Sequence, residues 1–106
     1  MKIQIKSVEE LGAIGKAVRK SQDFDQATLG AFSGNGINFV SQFENGKPTA
    51  EIGRVLEILD TLGIKLTIDV PMPHDKKANT KLCNLLKNAG VNVGATQLDI
   101  FKDIKS

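Results

Sequence analysis

Histidine and cysteine, the side chains best suited to nucleophilic and acid–base catalysis near neutral pH, occur once each in this sequence of 106 residues. His74 and Cys83 are each the only residue of their type, and they lie in a proline-containing segment and beside a helical leucine stripe, respectively. A nucleophilic site needs a base beside its nucleophile, and no Ser/His/Asp or Cys/His set can be assembled here. A single cysteine also excludes an internal disulfide and a thiolate zinc site within one chain. The sequence therefore predicts a protein that is not an enzyme and needs no cofactor or metal.

Two short patterns resemble reactive sites without having what such sites require. Asp23-Phe24-Asp25 places two carboxylates close together, but the segment is typical of a turn followed by a helix N-cap. Gly34-x-Gly36 is not a phosphate-binding loop, because no strand precedes it and no Gly-Lys-Ser/Thr follows it.

Composition places the chain among ordinary globular proteins, with 41% hydrophobic and 25% charged residues. No apolar run approaches the roughly 18 residues of a membrane-spanning helix, and the first six residues alternate, unlike a signal peptide, so we expect no membrane partner and a cytoplasmic location. Residues 1–70 carry eight Lys or Arg against nine Asp or Glu, and residues 71–106 carry six against three. Charge alone does not predict a nucleic-acid-binding protein.

Helical periodicity dominates the chain and predicts a mainly α fold of four to five helices. Ser7-x-x-Glu10 is a capping box that begins a helix over about 8–20, and Asp25 is a candidate N-cap for a second helix. A third helix is expected over about 37–45. A fourth follows Pro48, with apolar residues at helical spacing (Ile52, Val55, Leu56, Leu59 and Leu62), and a tail helix is expected over about 78–89.

The twenty residues from Gln26 onward have the spacing of two short helices that meet at a tight angle. Gly30 would allow the third helix to approach the second, and Gly34 would supply the positive φ that ends a helix abruptly. Val40 and Phe43 would form the buried face of the third helix. This order of helix, tight turn and helix favours a helix-turn-helix over a generic helical hairpin.

Two alternating stretches predict short strands at 1–6 and 64–70. Their inward residues are Ile3 and Ile5 in the first, and Ile64, Leu66 and Ile68 in the second. A lone two-stranded ribbon of this length does not persist in water. Pairing with the same strands of a second subunit would give a larger sheet and a two-fold homodimer.

The segment from Phe24-Asp25-Gln26 to Phe43-Glu44-Asn45-Gly46-Lys47 resembles the phage-repressor-type (XRE/Cro) helix-turn-helix. A longer run is similar to HipB-type antitoxins, which are repressors paired with HipA-type kinase toxins. It contains F-E-N-G-K-P-T-A followed by V-L-x-x-L-D-x-L-G, and the resemblance covers about residues 1–70. It implies a domain that binds a palindromic DNA operator and dimerises through the two strands.

The resemblance also assigns roles to individual residues. The third helix would enter the major groove, and its base-reading positions would be Gly36, Ile37, Asn38, Ser41 and Gln42. Phosphate contacts would come from Gln26, Asn45 and Lys47. Arg19 and Glu44 would form a partly buried structural ion pair. The sequence departs from the family at Asn35, usually apolar, and at Ile37, usually polar; Ile37 could contact a thymine methyl or belong to the core, which would shift the register.

Residues 71–106 lie outside the resemblance and form a linker with a C-terminal extension. Its leucines (Leu82, Leu85 and Leu86) lie beside lysines, as in a basic amphipathic helix that could bind a toxin, the chain's own core or DNA flanks. Our leading hypothesis is a homodimeric antitoxin at the nucleoid that represses its own operon. It would bind a HipA-type kinase or, in a split system, its separate subunits. The alternatives are a stand-alone repressor and a protein-binding scaffold with a degenerate helix-turn-helix.

Overall fold

The computed structural model of the chain describes residues 1–93, which contain five helices. In chain order these are α1 (Val8–Ser21), α2 (Gln26–Ser33), α3 (Ile37–Glu44), α4 (Ile52–Thr61) and α5 (Lys76–Asn88). The chain divides into two compact units, so that α1 to α4 belong to Met1–Thr67 and α5 belongs to a unit that begins at Ile68. Among the described residues, no helix has both the length and the apolar character needed to cross a membrane. The predicted mainly α class is confirmed.

Side-chain caps begin the first two helices where the sequence predicts them. Oγ of Ser7 accepts a hydrogen bond from the backbone N–H of Glu10 at 3.1 Å, as in the first half of a capping box. Oδ1 of Asp25 accepts from the N–H of Thr28 at 2.7 Å. These acceptors satisfy backbone donors that have no partner within the helix, so each helix begins at a defined residue.

The turn between α2 and α3 depends on two glycines. Gly34 ends α2 with a φ of +75°, a left-handed conformation that favours glycine. The next N–H, of Asn35, donates to the carbonyl oxygen of Gly30 at 2.8 Å. A Cβ added at Gly30 would lie 2.8 Å from the backbone oxygen of Asn35, so only glycine allows this close approach of the two helices.

The core of the first unit lies between α1, α2, α3 and α4. Its buried apolar residues come from all four helices and the end of α4 (Leu11, Leu29, Phe39, Val40, Phe43, Val55, Ile58, Leu59 and Leu62). Phe43 is fully buried, and a Cβ at Gly12 or Gly15 of α1 would collide with its backbone or ring. The small residues of α1 therefore bring this helix against the inner face of α3.

The strands predicted at 1–6 and 64–70 are not confirmed, because the structure assigns no strand within the residues it describes. The N–H of Ile64 instead donates to the carbonyl oxygen of Leu59 at 2.9 Å, which makes this residue part of the end of α4. Ile3, Leu66 and Ile68 are exposed. An alternating pattern indicates which face a strand would bury, but a ladder also needs a partner segment, and the described part of this chain supplies none.

The tail helix begins earlier than expected, at Lys76, because Asp75 accepts from the N–H of Lys77 at 3.2 Å and caps it. The spacing of Leu98, Phe101 and Ile104 in the sequence hints at one more small helix, and these three residues lie outside the described part of the chain.

We expect Gly30→Ala to lower the free energy of unfolding by about 1–3 kcal/mol, the usual cost of forcing an extra carbon into packed backbone. Gly53→Ala is the matched control, because the nearest atom to its added Cβ is 3.9 Å away and alanine favours a helix. The control should be neutral or stabilising. Urea denaturation of both variants measures the difference, and equal stability would contradict the close approach at Gly30.

Candidate nucleic-acid interface

Helix α3 has one buried face and one exposed face. Phe39, Val40, Phe43 and Glu44 are buried. The five predicted base-reading positions lie elsewhere on the helix and its cap: Gly36, Ile37, Asn38 and Gln42 are exposed, and Ser41 is half-buried. The sequence-predicted reading positions therefore share a surface that the packing of α3 leaves accessible.

Ile37 decides the register of this surface. Its side chain is 50% exposed at the first residue of α3, whereas Phe39 and Val40 point into the core. Gly36 is the N-cap, with a φ of −79° and no side-chain hydrogen bond. Ile37 is thus not a core residue, and its role at a base edge stays a prediction.

The C-terminal end of α3 carries two of the predicted phosphate-binding residues. Asn45 is the exposed C-cap, and Lys47 follows two residues later. Nζ of Lys47 lies 3.4 Å from Oε1 of Gln42, and the backbone N–H of Lys47 donates to the carbonyl oxygen of Gln42 at 3.0 Å. A predicted phosphate ligand and a predicted base-reading amide are therefore neighbours at the surface.

A buried ion pair holds α3 against α1. Nε and Nη2 of Arg19 donate to the two carboxylate oxygens of Glu44 at 2.6 and 2.9 Å. Nη1 of Arg19 donates to the carbonyl oxygen of Phe24 at 2.8 Å, just before α2. The Glu44 side chain is only 1% exposed. One guanidinium thus joins α1, the segment that enters α2, and the end of α3.

Gln26, the third predicted phosphate ligand, also contacts this pair. Its Nε2 donates to Oε1 of Glu44 at 3.0 Å, which uses one of the two amide hydrogens. The other hydrogen and the backbone N–H groups at the start of α2 are the donors that a phosphate could accept from. The sequence pattern did not predict that the same side chain completes the coordination of Glu44.

The surroundings keep the ion pair charged. Burial would raise the pKa of Glu44, but hydrogen bonds from Arg19 and Gln26 and the charges of Arg19 and Lys16 lower this pKa below its ordinary value. The hydrogen bond to Glu44 raises the pKa of Arg19 against the opposing effect of burial. Hydrogen bonds from the backbone and side chain of Thr28 likewise lower the pKa of the Asp25 carboxyl.

A second polar cluster, at the α2–α3 turn, was not predicted. Asn35 is buried, and its Oδ1 accepts from Nε of Arg54 at 2.6 Å. Its Nδ2 lies 3.1 Å from the carbonyl oxygen of Ser33 and 3.4 Å from Oε2 of Glu57. The guanidinium of Arg54 lies over the ring of Phe39, with Cζ 4.0 Å from the ring centroid. The only signal in the sequence was the polar residue at a usually apolar position.

The predicted partner-binding leucines of the tail differ in exposure. Leu85 is 56% exposed on α5, whereas Leu82 and Leu86 are half-buried. Cys83 is buried on the same helix. Within residues 1–93 no cluster of three or more His, Cys, Asp or Glu side chains could hold a metal ion.

Comparisons with known proteins cover about two thirds of the chain. No protein-family model matches it. The chain is 42% identical over 74 residues to an uncharacterized HTH-type transcriptional regulator, y4mF, of Sinorhizobium fredii, a match that covers 70% of this chain and 95% of that protein. It is similar in structure to a HipB variant in a complex with an O2 20-mer, with a TM-score of 0.62 and 26% identity over 66% of this chain and 97% of that one. A chain of a HipA-HipB-O2-O3 complex matches with a TM-score of 0.61 and 25% identity, over 65% and 97% of the two chains.

We expect Glu44→Leu and Arg19→Met each to lower the free energy of unfolding by about 3–5 kcal/mol, because each leaves the other charge buried without its partner. The double variant should lose much less stability than the sum of the two single variants, since an apolar pair leaves no buried charge. Urea denaturation of the parent and the three variants gives the coupling free energy between the two side chains. Additive losses would show that the two charges do not depend on each other.

The lowered pKa of Glu44 predicts a dependence of stability on pH. Because the unfolded carboxyl takes up its proton first, near its ordinary pKa of 4.5, this contribution is present above about pH 5 and is lost as the pH falls through the lowered folded pKa. The difference in unfolding free energy between the parent and Glu44→Gln should therefore shrink as the pH falls below about 5. A variant of the exposed Asp60, Asp60→Asn, is the control that should keep the parent's dependence. A constant difference between parent and Glu44→Gln would contradict the assignment.

Proposed function

The chain belongs to the HTH-type transcriptional regulators, and we propose that it is a dimeric repressor of its own operon that also acts as an antitoxin. As a member of this family it is a DNA-binding regulator and not an enzyme. The dimer, the operator contacts and the toxin partner are the parts of the proposal that go beyond the family.

The observation that carries the proposal is the accessible face of α3 on a tightly packed frame. Asn38 and Gln42 lie one helical turn apart on this face, and each amide can both donate to and accept from a base edge. The opposite face is held by Phe43 in the core and by Glu44 in its ion pair. This combination suits a recognition helix, because side chains that are already in position lose less conformational entropy on binding a base edge.

The proposed dimer explains the exposed apolar residues of the two extended segments. Ile3 is 56% exposed, Leu66 43% and Ile68 81%, although all three are aliphatic. Pairing of residues 1–6 and 64–70 with a second copy would cover them. A two-fold dimer would place two α3 helices about 34–36 Å apart, one turn of DNA, and so bind a palindromic operator.

A HipA-type kinase, either as one chain or as split subunits, is the proposed protein partner. The support is the likeness to a HipB chain solved together with HipA. The α5 helix of the second unit offers Leu82, Leu85 and Leu86 as contact residues, among which Leu85 is the most exposed. A DNA-binding regulator of this kind would act in the cytoplasm, at the nucleoid. Finding a kinase reading frame beside the gene would distinguish the antitoxin from a stand-alone repressor.

Three observations favour a protein-binding scaffold as a second candidate. Gly36 offers no side chain to a base, Ile37 exposes an apolar one, and residues 1–70 carry a net charge of −1. A scaffold would bind DNA weakly and with little dependence on salt, which separates it from a repressor. A repressor dimer that makes about 6–10 phosphate contacts should lose about 10³–10⁵ in affinity between 50 and 200 mM salt.

We expect Asn38→Ala with Gln42→Ala to abolish the preference for the chain's own upstream DNA over a scrambled duplex, because each lost amide pair removes about 1–3 kcal/mol of discrimination. Fluorescence anisotropy at two salt concentrations measures both affinities. The dimer, followed by sedimentation, should be unchanged. Asn84→Ala removes an exposed amide from α5 and is the matched control that should keep the preference. A double variant that discriminates as well as the parent would show that α3 does not read the bases.

A further inference from the structure

Arg54, in the first turn of α4, has a guanidinium that two neighbours hold in one position. Its Nε donates to Oδ1 of Asn35 at 2.6 Å, and its Cζ lies 4.0 Å from the centroid of the Phe39 ring. Stacking on an aromatic face together with a hydrogen bond at Nε defines both the plane and the direction of the guanidinium. Arg54 is therefore ordered before any ligand binds.

The two outer nitrogens of Arg54 are not used within the part of the chain that the structure describes. The hydrogen bonds there engage Nε alone, and the carboxylate of the nearby Glu57 lies against Nδ2 of Asn35 instead. A guanidinium has five N–H donors, so about four remain for a ligand. Their planar fork matches the oxygens of a phosphate, which it can bind through two parallel hydrogen bonds.

The position of Arg54 indicates which phosphate this would be. Asn35 directly precedes the N-cap of α3, and Phe39 lies in the first turn of that helix. Arg54 thus lies beside the N-terminal end of α3, where the proposed base-reading positions Gly36, Ile37 and Asn38 lie. A helix end in the major groove is flanked by the backbones of both strands, so a cation beside it lies close to a phosphate.

We propose that Arg54 binds a backbone phosphate of duplex DNA and that Asn35 and Phe39 are its positioning residues, an inference that rests on the proposed DNA-binding function. The inference also explains the polar residue at 35. A buried amide costs free energy unless it is hydrogen-bonded, and an apolar side chain would fill the site without that requirement. The amide of Asn35 supplies the acceptor that orients Arg54.

The test compares Arg54→Gln with Lys20→Gln, which removes the same charge from an exposed residue in the last turn of α1 that has no proposed contact. Affinity is measured by anisotropy against salt for a duplex from upstream of the gene and for a scrambled duplex. For Arg54→Gln we expect the slope of log affinity against log salt to fall in magnitude by about 0.9 per protomer, or about 1.8 per dimer. Preference for the upstream duplex should be unchanged, since a phosphate carries no sequence information. Lys20→Gln should keep the parent's slope.

The positioning role of Asn35 has a different signature. Asn35→Leu leaves the charge of Arg54 in place, so the salt slope should stay that of the parent. Affinity should fall about two- to twelvefold per protomer, because the freed arginine must be ordered on binding. The same substitution in the Arg54→Gln background should change affinity no further, an outcome that a merely structural role of Asn35 would not produce.

Each other outcome overturns a defined part of the inference. An unchanged slope for Arg54→Gln, in a variant that melts like the parent, excludes the phosphate contact. Loss of the upstream preference in that variant would make Arg54 a base reader. Equal losses of affinity from Asn35→Leu in the parent and in Arg54→Gln would exclude the positioning role of Asn35. A parent protein with no salt-dependent binding to either duplex would overturn the proposed function itself, and this inference with it.

Discussion

The buried pair of Arg19 and Glu44 is the interaction on which the first unit depends. Burying two charges is costly, and the cost is offset only when every donor and acceptor finds a partner. Here the guanidinium binds both carboxylate oxygens and the carbonyl of Phe24, and Gln26 completes the carboxylate. Such a pair tolerates little displacement of any of its members. It therefore fixes the position of the end of α3 relative to α1 and to the start of α2. Apolar packing around Phe43 alone would fix this position less narrowly.

The opposite end of α3 is held by a different chemistry. At the α2–α3 turn, Asn35 accepts from Arg54 of α4, whose guanidinium stacks on Phe39. Most related turns would use an apolar residue there. Here Asn35 links the turn to α4 through its hydrogen bond with Arg54. The same hydrogen bond orients the charged side chain of Arg54 at the surface. The two ends of α3 are thus fixed by two arginines. Arg19 is buried, and Arg54 is half-buried, with outer N–H donors that no residue within 1–93 uses.

Low net charge does not argue against DNA binding in such an arrangement. Residues 1–70 carry a net charge of −1, yet the cations Lys47 and Arg54 lie at the two ends of α3. The field at a surface depends on which charges face it, more than on the sum over the domain. The family resemblance and the location of these cations therefore agree, although composition alone predicts no nucleic-acid partner.

The sequence by itself determined the helices and the turn, because caps, periodicity and left-handed glycines act over a few residues. Ser7, Asp25 and Gly34 were all identified from local pattern, and each does in the structure what that pattern requires. Only the tertiary structure decided the polar contacts between segments distant in the chain. Asn35 and Arg54 are nineteen residues apart, and no local signal connects them. The alternating segments at 1–6 and 64–70 show the same limit, since a strand depends on a partner that its own sequence does not specify.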